Sequence, residues 1–459
     1  MPKIMIRELN TLVTMTEKHG TMHNVDILLE DGKVAAIGRN LPVPEGEKMR
    51  FIDGRMRVAY PGFINTHHHL YQTLTRNLPR VQDVKLFDWL INLYEVWREL
   101  TPEAIEVSTQ VGLAELLMTG CTSVSDHFYV FPRSAPQEFI DIEIDTARAM
   151  GVRFFPMRGS MSRSKKNGGL PPDDVVQTPD DILADCQRVI DKYNDPSPYS
   201  MCRVTLAPCS PFSVTTDLMK EAAALARQNG VTLHTHLCET KDEEQFCIDT
   251  LGKRPLDYME ETGWVGNDVW YAHGIYFNDD EIRRLAQTGT GVAHCPASNL
   301  RLGSGICQVP KLLDEGVPVG LAVDGSASND ASNFVREMQL ALLVHRVGTA
   351  VDAMPASKVL HIATRGGAQI LNHENIGVLE EGKAADLAIF GLNKVEFAGA
   401  MQDPASAILF CGSGTKTDYT IVNGKIVADH GRIPGIDEES LFNRANRLTD
   451  MMVRKGWGK

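Results

Sequence analysis

Arg57-Val58-Ala59-Tyr60-Pro61-Gly62-Phe63-Ile64-Asn65-Thr66 reads as a buried strand after a Pro-Gly break, and it runs straight into His67-His68-His69. On a strand, residues two apart share a face. His67 and His69 can therefore hold one ion, while His68 points away. A histidine run left by a tag would sit at a terminus, whereas this one closes an apolar segment.

Further along, Gly230-Val231-Thr232-Leu233-His234-Thr235-His236 is followed by Leu237-Cys238-Glu239. The same period puts His234 and His236 on one face. His236 is nearer the strand end and Glu239, so it is assigned as the ligand and His234 as a core histidine. Val317-Pro318-Val319-Gly320-Leu321-Ala322-Val323 is apolar enough to be buried on both faces, and it ends on Asp324. A carboxylate there needs a cation or hydrogen-bond donors. Alone, Asp324 reads equally well as a helix cap; three imidazoles wanting a fourth donor decide for the metal. Such a set suits a borderline divalent ion with one position left open for water. Zn²⁺ is expected, one per chain, with Fe²⁺ as the alternative. Glu239 places an acid beside that water, and together these suggest hydrolysis. His273 closes Asp268-Val269-Trp270-Tyr271-Ala272. It is surplus as a ligand and suits an electrostatic partner or proton shuttle. His294 is assigned to packing behind the site.

These motifs sit in an alternating pattern from residue 58 to about 367. Eight strands are predicted, ending near His69, His127, Gly159, Cys209, His236, His273, His294 and Asp324. Amphipathic helices fall between them, among others at 102–119, 179–192, 217–229 and 280–288. Repeated strand-then-helix units imply a parallel sheet with right-handed crossovers, and eight of them an α/β fold of the (β/α)₈ TIM-barrel type. Every candidate residue lies at the carboxyl end of a strand. A closed barrel brings those ends to one mouth, which an open sheet does not do for its first and last strands.

The two ends of the chain differ from the middle. Val25-Asp26-Ile27-Leu28-Leu29-Glu30, Asp31-Gly32 and Lys33-Val34-Ala35-Ala36-Ile37-Gly38 form a hairpin signature. Residues 376–431 resume that style, and an amphipathic helix over 440–454 closes the chain. The expected division is a small β-sandwich with the closing helix, 1–56 plus 376–459, around a barrel spanning 57–375.

The chain has 459 residues, long for a single core. Its net charge of −13, from 46 basic and 59 acidic residues, weighs against nucleic acid and anionic membrane as partners. Nine cysteines without a Cys-x-x-Cys pair suit reduced thiols of a cytoplasmic protein. The start, from Met1-Pro2 onward, lacks a signal-peptide core, and no apolar run reaches membrane-spanning length.

Taken together, Pro61 to His69, His236-Leu237-Cys238-Glu239-Thr240, Ala272-His273-Gly274, His294-Cys295-Pro296-Ala297-Ser298-Asn299, Val323-Asp324-Gly325 and Glu381-Gly382-Lys383-Ala384-Ala385-Asp386-Leu387 resemble the amidohydrolase superfamily over nearly the whole chain. Within it the chain resembles the mononuclear nucleobase-deaminase branch. Binuclear members usually supply a carboxylated lysine from the fourth strand; Cys202-Arg203-Val204-Thr205-Leu206-Ala207-Pro208-Cys209 has none. The resemblance implies His67, His69, His236 and Asp324 as metal ligands, Asp324 also as base, Glu239 as proton donor and His273 as the group that stabilises or shuttles protons for the attacking hydroxide. It further implies a free nucleobase-like substrate, with 8-oxoguanine foremost and isocytosine, isoxanthopterin, guanine or an s-triazine as alternatives, and a homo-oligomeric assembly. Glu239 weighs against the chloride-removing triazine enzymes, some of which lack it. Gln72 is expected to meet the ring edge, and Trp89, Cys209 and Ser210 either line the pocket or fill space.

Overall fold

The computed structural model describes residues 3–43, 48–134, 138–412 and 414–458; Met1 and Pro2 of the amino-terminal segment lie outside these. Eight strands form the central sheet: β6 (Phe63–Asn65), β7 (Cys121–Phe128), β8 (Arg153–Ser160), β9 (Thr205–Pro208), β10 (Thr232–Leu237), β11 (Val269–His273), β12 (Gly291–His294) and β13 (Val319–Leu321). They pair in chain order and all in parallel. The last strand returns to the first: the Thr66 amide donates to the Leu321 carbonyl at 3.1 Å and the Asp324 amide to the His67 carbonyl at 3.2 Å. This is the expected (β/α)₈ barrel, and the predicted helices appear as Pro102–Met118, Pro179–Tyr193, Thr216–Gln228 and Asp279–Thr288. Among the described residues no helix is long and apolar enough to cross a membrane.

The ends of the chain build a second sheet. It contains β1 (Lys3–Val13), β2 (Thr21–Glu30), β3 (Lys33–Gly38), β4 (Met49–Asp53), β5 (Arg57–Pro61), β14 (Leu387–Gly391), β15 (Tyr419–Val422) and β16 (Lys425–Asp429). Its apolar core is its own, with Ile6, Leu9, Ile27, Leu29, Leu387 and Ile421. The Asp31-Gly32 turn has φ of 48° and 77°, and Asn423-Gly424 repeats it at 48° and 72°. Both are the mirror-image turns that match strand twist.

The Pro61-Gly62 break separates two strands of different sheets. Arg57–Pro61 pairs antiparallel with β14 in the terminal sheet, and only Phe63–Asn65 joins the barrel. The chain crosses at Gly62, where a Cβ would come within 2.1 Å of Thr122. The break alone does not reveal that the two halves are buried in different sheets. The closing helix, Glu438–Trp457, packs on the barrel's helices rather than the terminal sheet. Leu441, Leu448 and Met452 share a core with Leu93 and Trp97, and the Trp457 indole N–H donates to the Asn92 carbonyl at 2.9 Å.

A buried ion pair joins the two units. Arg153 of β8 meets Asp386 through Nε at 2.9 Å and Nη2 at 3.2 Å. Arg153 also donates to the Tyr199 and Ser200 carbonyls. Side-chain exposure is 0% and 3%. Removing one partner strands a charge in the interior. Asp386→Ala is expected to lose about 3–5 kcal/mol of stability, read as an earlier chemical-denaturation midpoint; an unchanged midpoint would show that the pair does not join the units.

Candidate active site

The carboxyl ends of the barrel strands gather the predicted residues. His67 and His69 follow β6, His236 lies in β10, His273 ends β11, and Asp324 stands just beyond β13. Three of these ends carry a left-handed residue: Cys238 (φ 56°), His273 (φ 73°) and Asp324 (φ 62°). That conformation is costly for residues other than glycine and is held only where the surroundings over-determine it. Part of that surrounding is Glu243. Its buried carboxylate accepts the amides of Cys238 at 3.0 Å and Glu239 at 2.9 Å, fixing the turn that presents Glu239.

The hydrogen bonds set the tautomers. His69 Nδ1 donates to the His127 carbonyl and His236 Nδ1 to the Cys209 carbonyl, both at 2.7 Å. Their Nε2 atoms therefore carry lone pairs, yet lie 3.1 Å apart. His234 Nδ1 donates to the Trp270 carbonyl at 3.0 Å, leaving its Nε2 to accept from His67 Nδ1 at 2.8 Å. So His67 Nε2 is also a bare lone pair, buried and without a hydrogen-bond partner. It stands 3.3 Å from Asp324 Oδ1, and His69 Nε2 stands 3.4 Å from the same oxygen. Burial keeps these rings neutral, pushing His236 down to about 3 and His67 well below its ordinary value. Three lone pairs and a carboxylate converge with no proton among them. A divalent cation fits that donor set.

His234 is thus more than the core histidine expected from sequence, since it orients the His67 ring. His127 also enters the cluster, its ring stacked on His236 at 5.0 Å. His68 faces the other way, onto Ser332 Oγ at 2.9 Å. His294 pairs with His345 at 3.3 Å, behind the barrel strand.

Glu239 and His273 face each other beside this cluster, with His273 Nε2 3.5 Å from Glu239 Oε2 and 4.0 Å from Asp324 Oδ2. His273 Nδ1 donates to Asn299 Oδ1 at 2.8 Å. Burial lowers the affinity of His273 for a proton, but the Glu239 and Asp324 carboxylates outweigh it, and the net shift is upward. Burial, helped by Asp324 and Glu243 and opposed by His273, pushes Glu239 up to about 7. Asp324 accepts from the Gly325 amide and from Ser298 Oγ, each at 2.6 Å.

A small cavity opens on these groups. Gln72, Trp89 and Cys209 all line it, and Gln72 Oε1 and Trp89 Nε1 are buried without a partner. A Cβ on residue 325 would reach within 2.0 Å of Gln72 Oε1, so Gly325 makes room for that amide. Burial pushes the Cys209 thiol up to about 12, so it remains a neutral wall. Ser210 does not line the cavity; its hydroxyl pairs with Ser213 Oγ at 2.7 Å. Tyr94 and Leu90 of the helix Leu86–Trp97, with Tyr129, Phe212 and Leu302, also line the cavity.

A closed parallel barrel that gathers a divalent-cation site and a buried carboxyl at its mouth defines a metal-dependent hydrolase. Residues 58–427 match the model of the Amidohydrolase family, and the chain belongs to that family. It is 44% identical over 427 residues to the 8-oxoguanine deaminase of Pseudomonas aeruginosa, covering 93% of this chain and 94% of the relative. It is 38% identical over 447 residues to the hydroxydechloroatrazine ethylaminohydrolase of Pseudomonas sp. strain ADP, covering 95% and 92%. The crystal structure of an atrazine chlorohydrolase from Arthrobacter aurescens, complexed with zinc, superposes with a TM-score of 0.92 at 33% identity, over 97% of this chain and all of that one (100%).

Proposed function

We propose that the chain is a hydrolytic deaminase of a free nucleobase-like ring, converting 8-oxoguanine and water to urate and ammonia. The observation that carries this reading is Glu239, a buried carboxyl pushed up to about 7, beside a nitrogen-rich cation site in a cavity at the barrel mouth. The likeness to the Pseudomonas aeruginosa 8-oxoguanine deaminase supports the choice of ring. His67, His69, His236 and Asp324 would hold one Zn²⁺ per chain, with Fe²⁺ as the alternative. When bound, the cation supplies Lewis acidity and lowers the pKa of water in its shell towards neutrality.

The chain's own groups do the rest. Asp324, steadied by Ser298 and the Gly325 amide, accepts the proton that the attacking water gives up. Glu239 gives its proton to the ring nitrogen next to the amino-bearing carbon, which makes that carbon electrophilic. His273, with Nδ1–H tied to Asn299, presents Nε2 to Glu239 and to the site of attack. Gln72 offers its amide to the ring edge, and Trp89 and Cys209 wall the ring. Among the described residues no lysine or arginine lines the cavity, which favours a free base over a nucleotide. The nine free thiols suit a reducing, cytoplasmic setting, and a homo-oligomer is part of this reading.

The second reading, removal of an alkylamine or chloride from an s-triazine, is supported by the likeness to the two triazine enzymes. A product-release screen separates them, run over 8-oxoguanine, guanine, isocytosine, isoxanthopterin and ring-substituted triazines. The highest kcat/KM is expected for 8-oxoguanine, with isocytosine turned over because it shares the amino-pyrimidinone edge. Negligible turnover of both, beside rapid turnover of a triazine, would overturn the substrate assignment and leave the hydrolytic site intact.

A further inference from the structure

Glu337 lies on the outer-layer helix Phe334–Gly348 and is fully buried. A carboxylate in that position is costly unless its oxygens are satisfied. Oε1 accepts the Ala297 amide at 2.8 Å, and Oε2 accepts Asn329 Nδ2 at 3.0 Å. Those two donors belong to different segments of the barrel mouth. Ala297 is in the short helix Pro296–Arg301 that follows β12, and Asn329 ends the short helix Ser326–Asn329 that follows β13.

Each segment holds a reactive group. From the first, Ser298 Oγ donates to Asp324 Oδ2 at 2.6 Å, and Asn299 Oδ1 accepts from His273 Nδ1 at 2.8 Å. From the second, Ser328 Oγ donates to Asp324 Oδ2 at 3.2 Å, and Asn329 Nδ2 donates to the Val323 carbonyl at 2.5 Å. Asp324 has a left-handed backbone, so its aim depends on what grips its neighbours. One carboxylate thus clamps both segments that orient Asp324 and His273.

The geometry points to Glu337 as a positioning residue: it sets the aim of Asp324 and His273 without touching substrate. This rests on the reading of those two groups as reactive. Fixing such groups within a fraction of an ångström is what a supporting hydrogen-bond shell achieves.

Glu337→Gln tests it. The glutamine keeps the volume, but its NH₂ must face one of two N–H donors, so one arm of the clamp fails. Two quantities are measured: kcat and KM on the ring the parent turns over best, and Zn²⁺ affinity by competition with a chromogenic chelator. The expected result is a folded variant whose kcat falls about ten- to a hundredfold and whose Zn²⁺ affinity weakens on that scale, with KM within about threefold. Parent kcat and parent Zn²⁺ affinity in the folded variant would overturn the proposal. So would a loss of kcat accompanied only by a lost melting transition. Should Glu337→Gln fail to fold, Asn329→Ala removes the Asn329 arm together with the bond to the Val323 carbonyl and is read the same way. The Zn²⁺ measurement needs no substrate, so a mistaken choice of ring does not disguise the outcome.

Discussion

Glu239→Gln is expected to keep its fold and its cation, and to lose ammonia release by about a hundred- to ten-thousandfold. The residue is only 5% exposed, and its amide is held by Glu243, so the isosteric side chain stays in place. What goes is the transferable proton. Burial, first among the causes, pushes Glu239 up to about 7, so the acid form is well populated near neutral pH in the parent. An amide has no such proton to give. Elemental analysis and an ammonia assay on one preparation read both halves of the expectation. A fully metal-loaded variant running at near the parent rate would remove Glu239 from the role of donor.

His67→Ala is expected to lose the cation, and with it all measurable turnover. The ring sits at the centre of the ligand cluster, with centroids 4.6 Å from His69 and 4.8 Å from His236, and its Nε2 is a bare lone pair. Its loss also leaves His234 Nε2 with nothing to accept from. His68→Ala is the control. That ring is as deeply buried but turns onto Ser332, so its removal should leave metal content unchanged. If His67→Ala binds one equivalent of Zn²⁺ and His68→Ala does not, the face assignment is inverted.

The barrel was legible because each strand announces its end. Apolar runs stop at His69, His127, His236, His273 and Asp324, and period 2 says which of two histidines share a face. Glycine-containing turns mark the terminal hairpins equally well. The Pro61-Gly62 break was legible, but not that it divides two sheets, since Arg57–Pro61 and Phe63–Asn65 are both apolar and differ only in which neighbours cover them. Tautomer control by His234 was hidden too; it depends on the Trp270 carbonyl, an atom contributed by the neighbouring strand's backbone. Glu243 and Glu337 sit in helices among other charged residues, where a glutamate ordinarily reads as solvated surface. Only packing shows that each is sealed inside and bonded to loop amides.

The closure of the barrel through Thr66 and Leu321, and of the terminal sheet through β5 and β14, bears on how the protein is made. A ribosome delivers the chain from its amino end at about 5–20 residues per second. His67 and His69 therefore emerge long before Asp324, and β5 long before β14. Throughout that interval His67 and His69 lack a strand neighbour on one side and the histidine–carboxylate cluster is unfinished. A chain interrupted short of β13 carries an open, sticky sheet edge. One interrupted short of β14 closes its barrel with Arg153 facing no Asp386. Nascent fragments of this protein are thus work for chaperones and proteases, and activity arrives only with the nearly complete chain.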